Sequence, residues 1–180
     1  MSAYSAIWLT GLSSVGKSTT ASLLAERLRS TGSPVVVLDG DEMRSALPDR
    51  YGHSTPERIR LGMYYVDLAK LIADQGVTVV VATVSLLEDV HIHRRRVFGD
   101  QCLDVVLRAP LRALRERDTR GVYKSASSEV VGLGQVAHFP ECDFLEFSNE
   151  KPEDPTIIAR EVSRKFLSNV SSSDDQRRAS

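Results

Sequence analysis

Short apolar runs alternate along the chain with longer segments in which apolar residues recur at helical spacing. The apolar runs predict strands at residues 4–9, 35–38, 77–84, 103–107 and 144–147. The longer segments predict helices at residues 17–30, 88–98, 110–117 and 155–167, and a second long helix that Thr55 caps, Pro56 begins and Gly76 ends. Strand and helix therefore alternate from one end of the pattern to the other.

This alternation predicts an α/β fold, a parallel sheet covered by helices on both faces. Residues 118–140 are polar and contain glycine, and we interpret them as a mobile loop. With no internal repeat and no linker composition, residues 1–168 are predicted to form one domain, and residues 169–180 a disordered tail. In such sheets ligands bind beyond the carboxyl ends of the strands, where the loops after the first three strands should meet.

Composition and charge narrow the class of protein. The 180 residues are 42% hydrophobic and 26% charged, and the formal net charge is −1. No broad basic field indicates nucleic acid or an anionic membrane, and the longest apolar run, at residues 77–84, is far shorter than a membrane span. Cys102 and Cys142 form no paired motif, and the start of the chain has no basic leader, so a cytoplasmic enzyme is expected.

The stretch GLSSVGKST follows the first predicted strand and opens the first predicted helix. It satisfies G-x-x-x-x-G-K-[ST], in which backbone N–H groups surround phosphate oxygens and the helix adds its positive end. The lysine can reach the β- and γ-phosphates of ATP, and the serine hydroxyl can bind Mg²⁺. The predicted ATP-binding residues are Gly11, Leu12, Ser13, Ser14, Val15, Gly16, Lys17, Ser18 and Thr19.

The phosphate loop alone does not name the reaction. A GTPase would carry Asn-Lys-x-Asp, and the nearest string, which begins at Asn149, does not match, so a small kinase is favoured. The stretch LDGDEMR follows the second strand and places Asp39 and Asp41 beside the phosphates, where carboxylates can serve Mg²⁺ or accept a proton from an attacking hydroxyl. Arg44, one turn further on, could hold an anionic acceptor.

Five blocks of the sequence resemble the adenylylsulfate (APS) kinases in order and spacing. They are IWLTGLSSVGKST, VVVLDGDEMR, GHSTPERIR, AKLIADQGVTVVVATVS and RDTRGVYKSA, and the resemblance spans about residues 5–141. It implies a P-loop kinase fold and a homodimer. It also implies transfer of the ATP γ-phosphate, with Mg²⁺, to the 3′-hydroxyl of adenosine 5′-phosphosulfate, a small nucleotide acceptor.

The resemblance also implies roles for individual residues. The implied catalytic residues are Lys17, Asp39, Asp41 and Ser85, with Asp41 as the expected base and Ser85 at a serine that some members phosphorylate. Ser18 and Asp41 would serve the metal, and Arg117 would join the ATP site. The implied acceptor-binding residues are Asp41, Arg44, His53, Arg58, Leu61, Lys124 and Leu133. Arg117, Asp118 and Lys124 match the family's lid segment, which would close over the transferring phosphate.

The sequence departs from the family on the acceptor side. The family stacks the acceptor's adenine between two phenylalanines, and His53 and Leu133 stand at those positions. The family's Asn-Ile-Arg-Arg segment begins with Leu61 here and has Met63 in place of an arginine. Three alternatives remain open: APS is still the acceptor, the acceptor is another nucleotide such as cytidine diphosphoramidate, or the protein binds nucleotide without transferring phosphate.

Overall fold

A computed structural model describes residues 3–48, 51–52, 54–124, 130–141, 144–151 and 154–178, with side chains described to residue 170. His53 and Cys142 lie outside the described residues. The strands are β1 (Ala6–Thr10), β2 (Val35–Asp39), β3 (Thr78–Thr83), β4 (Cys102–Arg108) and β5 (Phe144–Ser148). The helices are α1 (Lys17–Ser30), α2 (Gly40–Ala46), α3 (Thr55–Ala73), α4 (Glu88–Phe98), α5 (Leu111–Glu116) and α6 (Asp154–Arg178).

The five strands form one sheet in the order β2-β3-β1-β4-β5, and every neighbouring pair is parallel. Side chains of β1 alternate between the two faces because successive residues of a strand point in opposite directions. Ile7 and Leu9 pack in the core beneath α1 and α6, and Ala6 and Trp8 pack in the core beneath α3 and α4. The predicted α/β fold, with helices on both faces, is confirmed.

Local chemistry explains where α3 begins. Ser54 is the N-cap, one residue before the predicted cap at Thr55. The Glu57 carboxylate accepts hydrogen bonds from the backbone N–H of Ser54 at 3.3 Å and of Gly52 at 2.9 Å. This bond from the N3 side chain back to the N-cap belongs to the capping-box pattern, and it satisfies backbone donors that the helix itself leaves without partners.

Two helices differ from their predictions. Helix α2 was not predicted, because Asp39-Gly40 is typical of a turn, yet the Asp39 carboxylate caps the helix by accepting from the Asp41 N–H at 3.0 Å. Helix α6 continues to Arg178, beyond the predicted end at Leu167 and into the segment predicted to be disordered. The division into a domain at residues 1–168 and a tail at residues 169–180 stays a prediction. None of the described helices is long and apolar enough to cross a membrane.

Candidate active site

A cleft of about 480 Å³ opens at the carboxyl edge of the sheet. It lies between the phosphate loop, the start of α2, helix α3, the segment after β3 and residues 117–122. Parallel strands bring these loops to one edge, as predicted. The predicted site residues that line it are Ser13, Ser14, Gly16, Lys17, Ser18, Thr19, Asp39, Asp41, Arg44, Arg58, Leu61, Ser85 and Arg117.

Other predicted site residues do not line this cleft. Gly11, Leu12 and Val15 belong to the same phosphate loop but are not among the residues that line the cleft, and Val15 is fully buried. Lys124 is exposed, and Leu133, which is 41% exposed, lies outside the cleft wall. The predicted opposition of His53 and Leu133 around an acceptor base therefore gains no support from the described residues, and both roles remain predictions.

The phosphate loop has a shape that only glycine permits at two positions. Gly16 has a φ of +92°, and a Cβ there would lie 2.4 Å from the side-chain nitrogen of Asn149. A Cβ on Gly11 would lie 2.5 Å from the Leu107 carbonyl oxygen. Asn149 in turn donates to the Val15 carbonyl at 2.6 Å. The loop is therefore held against the ends of β4 and β5 ahead of any ligand.

Lys17 lies at the first position of α1 and is 9% exposed. Its ammonium donates to the carbonyls of Gly11 at 3.0 Å and Leu12 at 2.8 Å, so it caps the loop from inside. Burial lowers the pKa of Lys17 from 10.5 to about 8, although the charges of Asp41 and Asp39 act in the opposite direction. The ammonium is thus poorly solvated, on a residue that lines the cleft.

Two oxygen ligands of the kind that Mg²⁺ prefers lie side by side. The Ser18 hydroxyl donates to the Asp39 carboxylate at 2.5 Å, and Asp39 is buried at the end of β2. Among the described residues there is no group of three or more histidine, cysteine, aspartate or glutamate side chains that could hold a metal ion. Mg²⁺ commonly binds one or two protein oxygens together with substrate phosphates and water.

Arg120 is a cleft residue that the sequence analysis did not single out. Its guanidinium donates to the Asp41 carboxylate, and both side chains are exposed at 61% and 63%. Arg120 lies inside the block RDTRGVYKSA, so the resemblance carried a signal that could have found it. The ion pair places a cation of the predicted lid on the carboxylate predicted to act as the base.

Hydrogen bonds within residues 117–123, and from them to neighbouring segments, fix the first part of the predicted lid. The buried Asp118 carboxylate accepts from the N–H groups of Val122 at 2.9 Å and Tyr123 at 2.7 Å, and the Tyr123 hydroxyl donates to the Ser13 carbonyl at 2.8 Å. The guanidinium of Arg117 donates to the Asn149 carbonyl at 2.6 Å. These bonds bring residues 117–122 against the phosphate loop, where they form one wall of the cleft.

Helix α3 contributes both an apolar and a hydroxyl-bearing side chain to the cleft. Leu61 is 2% exposed and stands on α3 with Tyr65, one turn further along. The Tyr65 hydroxyl, another residue not predicted, donates to the Gly40 carbonyl at 3.2 Å, and burial raises its pKa to about 12, so it stays protonated. Arg44 donates to the carbonyls of Tyr51 at 2.7 Å and Gly52 at 3.2 Å, which fixes the chain before α3.

Comparison with known proteins decides the family. Residues 3–160 match the adenylylsulphate kinase family. The chain belongs to this family. Membership confirms the resemblance and places the protein among kinases that phosphorylate a hydroxyl group.

Individual relatives of the adenylylsulphate kinase family agree with this assignment. The chain is 36% identical over 155 residues to the adenylyl-sulfate kinase of Bacillus licheniformis, covering 86% of this chain and 75% of the relative. It is 31% identical over 143 residues to the cytidine diphosphoramidate kinase of Campylobacter jejuni, covering 77% and 83%. The structure of the Mycobacterium tuberculosis APS kinase in complex with AMPPNP and APS superposes with a TM-score of 0.81 at 28% identity, covering 93% and 99%. The P-loop kinase fold is thereby confirmed.

Proposed function

We propose that this protein is an ATP-dependent kinase that transfers the γ-phosphate to a ribose 3′-hydroxyl of a small anionic nucleotide. The observation that carries the proposal is the gathering of Lys17, Ser18, Asp39 and Asp41 in one cleft at the carboxyl edge of the sheet. The first two begin the helix behind the phosphate loop, and the last two flank the start of α2. A binder that performs no transfer has little need of a carboxylate that acts as a base.

The donor half of the cleft fits ATP and Mg²⁺. Lys17 can exchange its bonds to loop carbonyls for bonds to β- and γ-phosphate oxygens, which neutralise its charge better than carbonyls do. The Ser18 hydroxyl, with Asp39 and Asp41 directly or through water, would hold Mg²⁺. When bound, Mg²⁺ neutralises charge on the phosphate oxygens during transfer.

In the transfer itself, Asp41 is our choice for the base. The acceptor hydroxyl gives its proton to the Asp41 carboxylate, its oxygen forms a bond to the γ-phosphorus, and the bond from that phosphorus to the bridging oxygen breaks to release ADP. The Arg120 guanidinium donates to this carboxylate. Exposed pairs of this kind are weak, so phosphate oxygens can draw the guanidinium away and leave Asp41 available.

The acceptor half supports a nucleotide with an anionic group, because Arg44 and Arg58 line it. APS is the first candidate. Cytidine diphosphoramidate is the second, favoured by the likeness to the Campylobacter jejuni kinase and by the apolar Leu61 where the resemblance expects asparagine. Leu133 offers no ring for stacking, and a pyrimidine needs less stacking surface than adenine.

The test is a comparison of phosphate transfer to the two acceptors. The purified chain is incubated with ATP, Mg²⁺ and either nucleotide, and ADP and phosphorylated acceptor are both measured. We expect one of the two acceptors to be phosphorylated in a 1:1 ratio with ADP. Asp41→Asn should lower kcat by about 100-fold or more, as expected when a general base is lost. Glu42→Gln, which changes the adjacent exposed carboxylate, should leave it unchanged.

Three further features remain proposals. We expect a homodimer in solution, which sedimentation analysis would test, and a cytoplasmic location, which fractionation of the source cell would test. Phosphorylation of Ser85, which the resemblance allows, would be tested by mass spectrometry of the purified chain after incubation with ATP. Nucleotide binding without any transfer would favour the non-catalytic alternative.

A further inference from the structure

Trp8 contacts a residue of the cleft although it is itself fully buried. It lies in the middle of β1 with 0% exposure, and its indole N–H donates to the Ser85 hydroxyl oxygen at 3.0 Å. Ser85 follows β3 and lines the cleft. This hydrogen bond therefore connects the core beneath α3 and α4, which contains Trp8, with Ser85 in the wall of the cleft.

The chemistry of this pair limits the direction of the serine hydroxyl. An indole nitrogen can only donate, so the Ser85 oxygen must be the acceptor of this bond. A hydroxyl has one hydrogen and two lone pairs, and one lone pair is used by Trp8. The hydroxyl hydrogen therefore points away from the indole, and Ser85 is left as a hydrogen-bond donor on a side chain that lines the cleft.

An ion pair of two charged residues lies on the same face of the sheet as the indole. Trp8 and Asp104 are partners in the register of β1 and β4, so their side chains share one face of the sheet. Arg94 of α4, 3% exposed, donates to the Asp104 carboxylate at 2.6 Å, and its guanidinium carbon lies 5.3 Å from the centre of the indole ring. His91 accepts from the same guanidinium at 3.1 Å.

The burial of this ion pair is informative. Replacing a buried ion pair by apolar residues is often neutral or stabilising, so the pair alone is weak evidence for a role in stability. Its geometry does have a consequence, because a cation over the face of an aromatic ring is attracted to that ring and so helps to hold it in place. The arrangement from Asp104 through Arg94 to Trp8 limits where the indole N–H can point.

We propose that Trp8 is a positioning residue for acceptor binding, which orients the Ser85 hydroxyl so that it donates to an anionic oxygen of the acceptor nucleotide. Arg94 and Asp104 support it from the opposite side. Ser85 then acts as a hydrogen-bond donor while its hydroxyl is unmodified, because phosphorylation would remove the hydrogen that it donates. This inference rests on the proposed function, since it concerns the acceptor of that same reaction.

A double-mutant cycle tests whether Trp8 acts through Ser85. Ser85→Ala and Trp8→Phe should each raise the KM for the acceptor by about 3- to 10-fold, the effect of one lost hydrogen bond, and leave the KM for ATP unchanged. In the Ser85→Ala background, Trp8→Phe should add nothing further, because the shared contact is already absent. Equal effects of Trp8→Phe in both backgrounds would show a merely structural role and overturn the inference. Leu9→Val, a buried change on the opposite face of β1, serves as the matched control.

A second readout needs no turnover. The chain has a single tryptophan, so its fluorescence reports on Trp8 alone. Ser85→Ala removes the partner of the indole N–H and should shift the emission of the ligand-free protein to shorter wavelength, while Ser30→Ala on the exposed end of α1 should not. An unchanged spectrum in Ser85→Ala would overturn the inference even if the protein folds normally. Failure of the unaltered chain to phosphorylate either APS or cytidine diphosphoramidate would instead count against the proposed function.

Discussion

The protonation of the buried Lys17 side chain predicts how kcat/KM for ATP depends on pH. Burial lowers its pKa from 10.5 to about 8, a change that corresponds to about 3 kcal/mol of lost stabilisation of the charged form. The pH dependence of kcat/KM reports groups of the free enzyme. We therefore expect kcat/KM for ATP to be level near pH 7 and to fall about tenfold per pH unit above about pH 8.

The assay is coupled detection of ADP at saturating acceptor and constant free Mg²⁺. Lys17→Arg should remove the fall, at lower overall activity, because a guanidinium stays protonated throughout. The control Lys70→Gln, which changes a lysine of α3 paired with Asp74, should still show the fall in kcat/KM at high pH. A level profile to about pH 10 in the unaltered chain would refute the reasoning about burial.

The lowered pKa of Lys17 affects stability in the opposite direction from activity: the stability of the fold should rise with pH where the use of ATP falls. The folded-state pKa of Lys17 lies below its value of 10.5 in the unfolded chain. Between about pH 8 and 10.5 the unfolded chain therefore binds more protons than the folded one at this site, so this contribution to stability rises with pH. Denaturant unfolding of the unaltered chain and of Lys17→Gln is compared over this pH range. We expect the contribution of Lys17 to the free energy of unfolding to rise only in the unaltered chain, while kcat/KM for ATP of that chain falls.

Three further substitutions follow from contacts in the cleft. Gly16→Ala should weaken binding of a non-hydrolysable ATP analogue by roughly tenfold or more, measured by calorimetry, whereas Gly32→Ala, also at positive φ but with no atom within 4 Å, should not. Arg120→Ala should lower kcat by about 100-fold through loss of a cation on the transferring phosphate, against the exposed control Arg112→Ala; equal activity of the two variants would contradict this. Tyr65→Phe should raise the KM for the acceptor by about 3- to 10-fold. The control Tyr64→Phe, at the exposed neighbouring tyrosine, should leave this KM unchanged.

Much of the fold could be predicted because its signals are local. Helices α1 and α4 begin and end where predicted, since recurring apolar residues and a flanking glycine mark them. Helix α2 was missed because Asp39-Gly40 favours a turn by itself. In the structure the Asp39 carboxylate accepts from the Asp41 N–H, and this dipeptide is the start of a capped helix.

The cleft was less predictable because it depends on contacts between distant segments. The phosphate loop and the two aspartates could be placed from the order of strands, since parallel strands end at one edge. The contacts of Arg120 and Tyr65 could not, because they depend on the bonds of Asp118 and on how α3 packs over Gly40. The pairing of Trp8 with a cleft serine likewise needs the strand register.

The most direct test of the account is identification of the product. ATP and each candidate nucleotide are incubated with the chain, and ³¹P NMR and mass spectrometry follow the γ-phosphate. We predict that one nucleotide gains a single phosphate on its ribose 3′-hydroxyl, matched by ADP, and that Lys17→Ala abolishes the transfer while its circular dichroism spectrum is unchanged. Release of inorganic phosphate alone, or ATP binding with no phosphorylated nucleotide, would contradict the account.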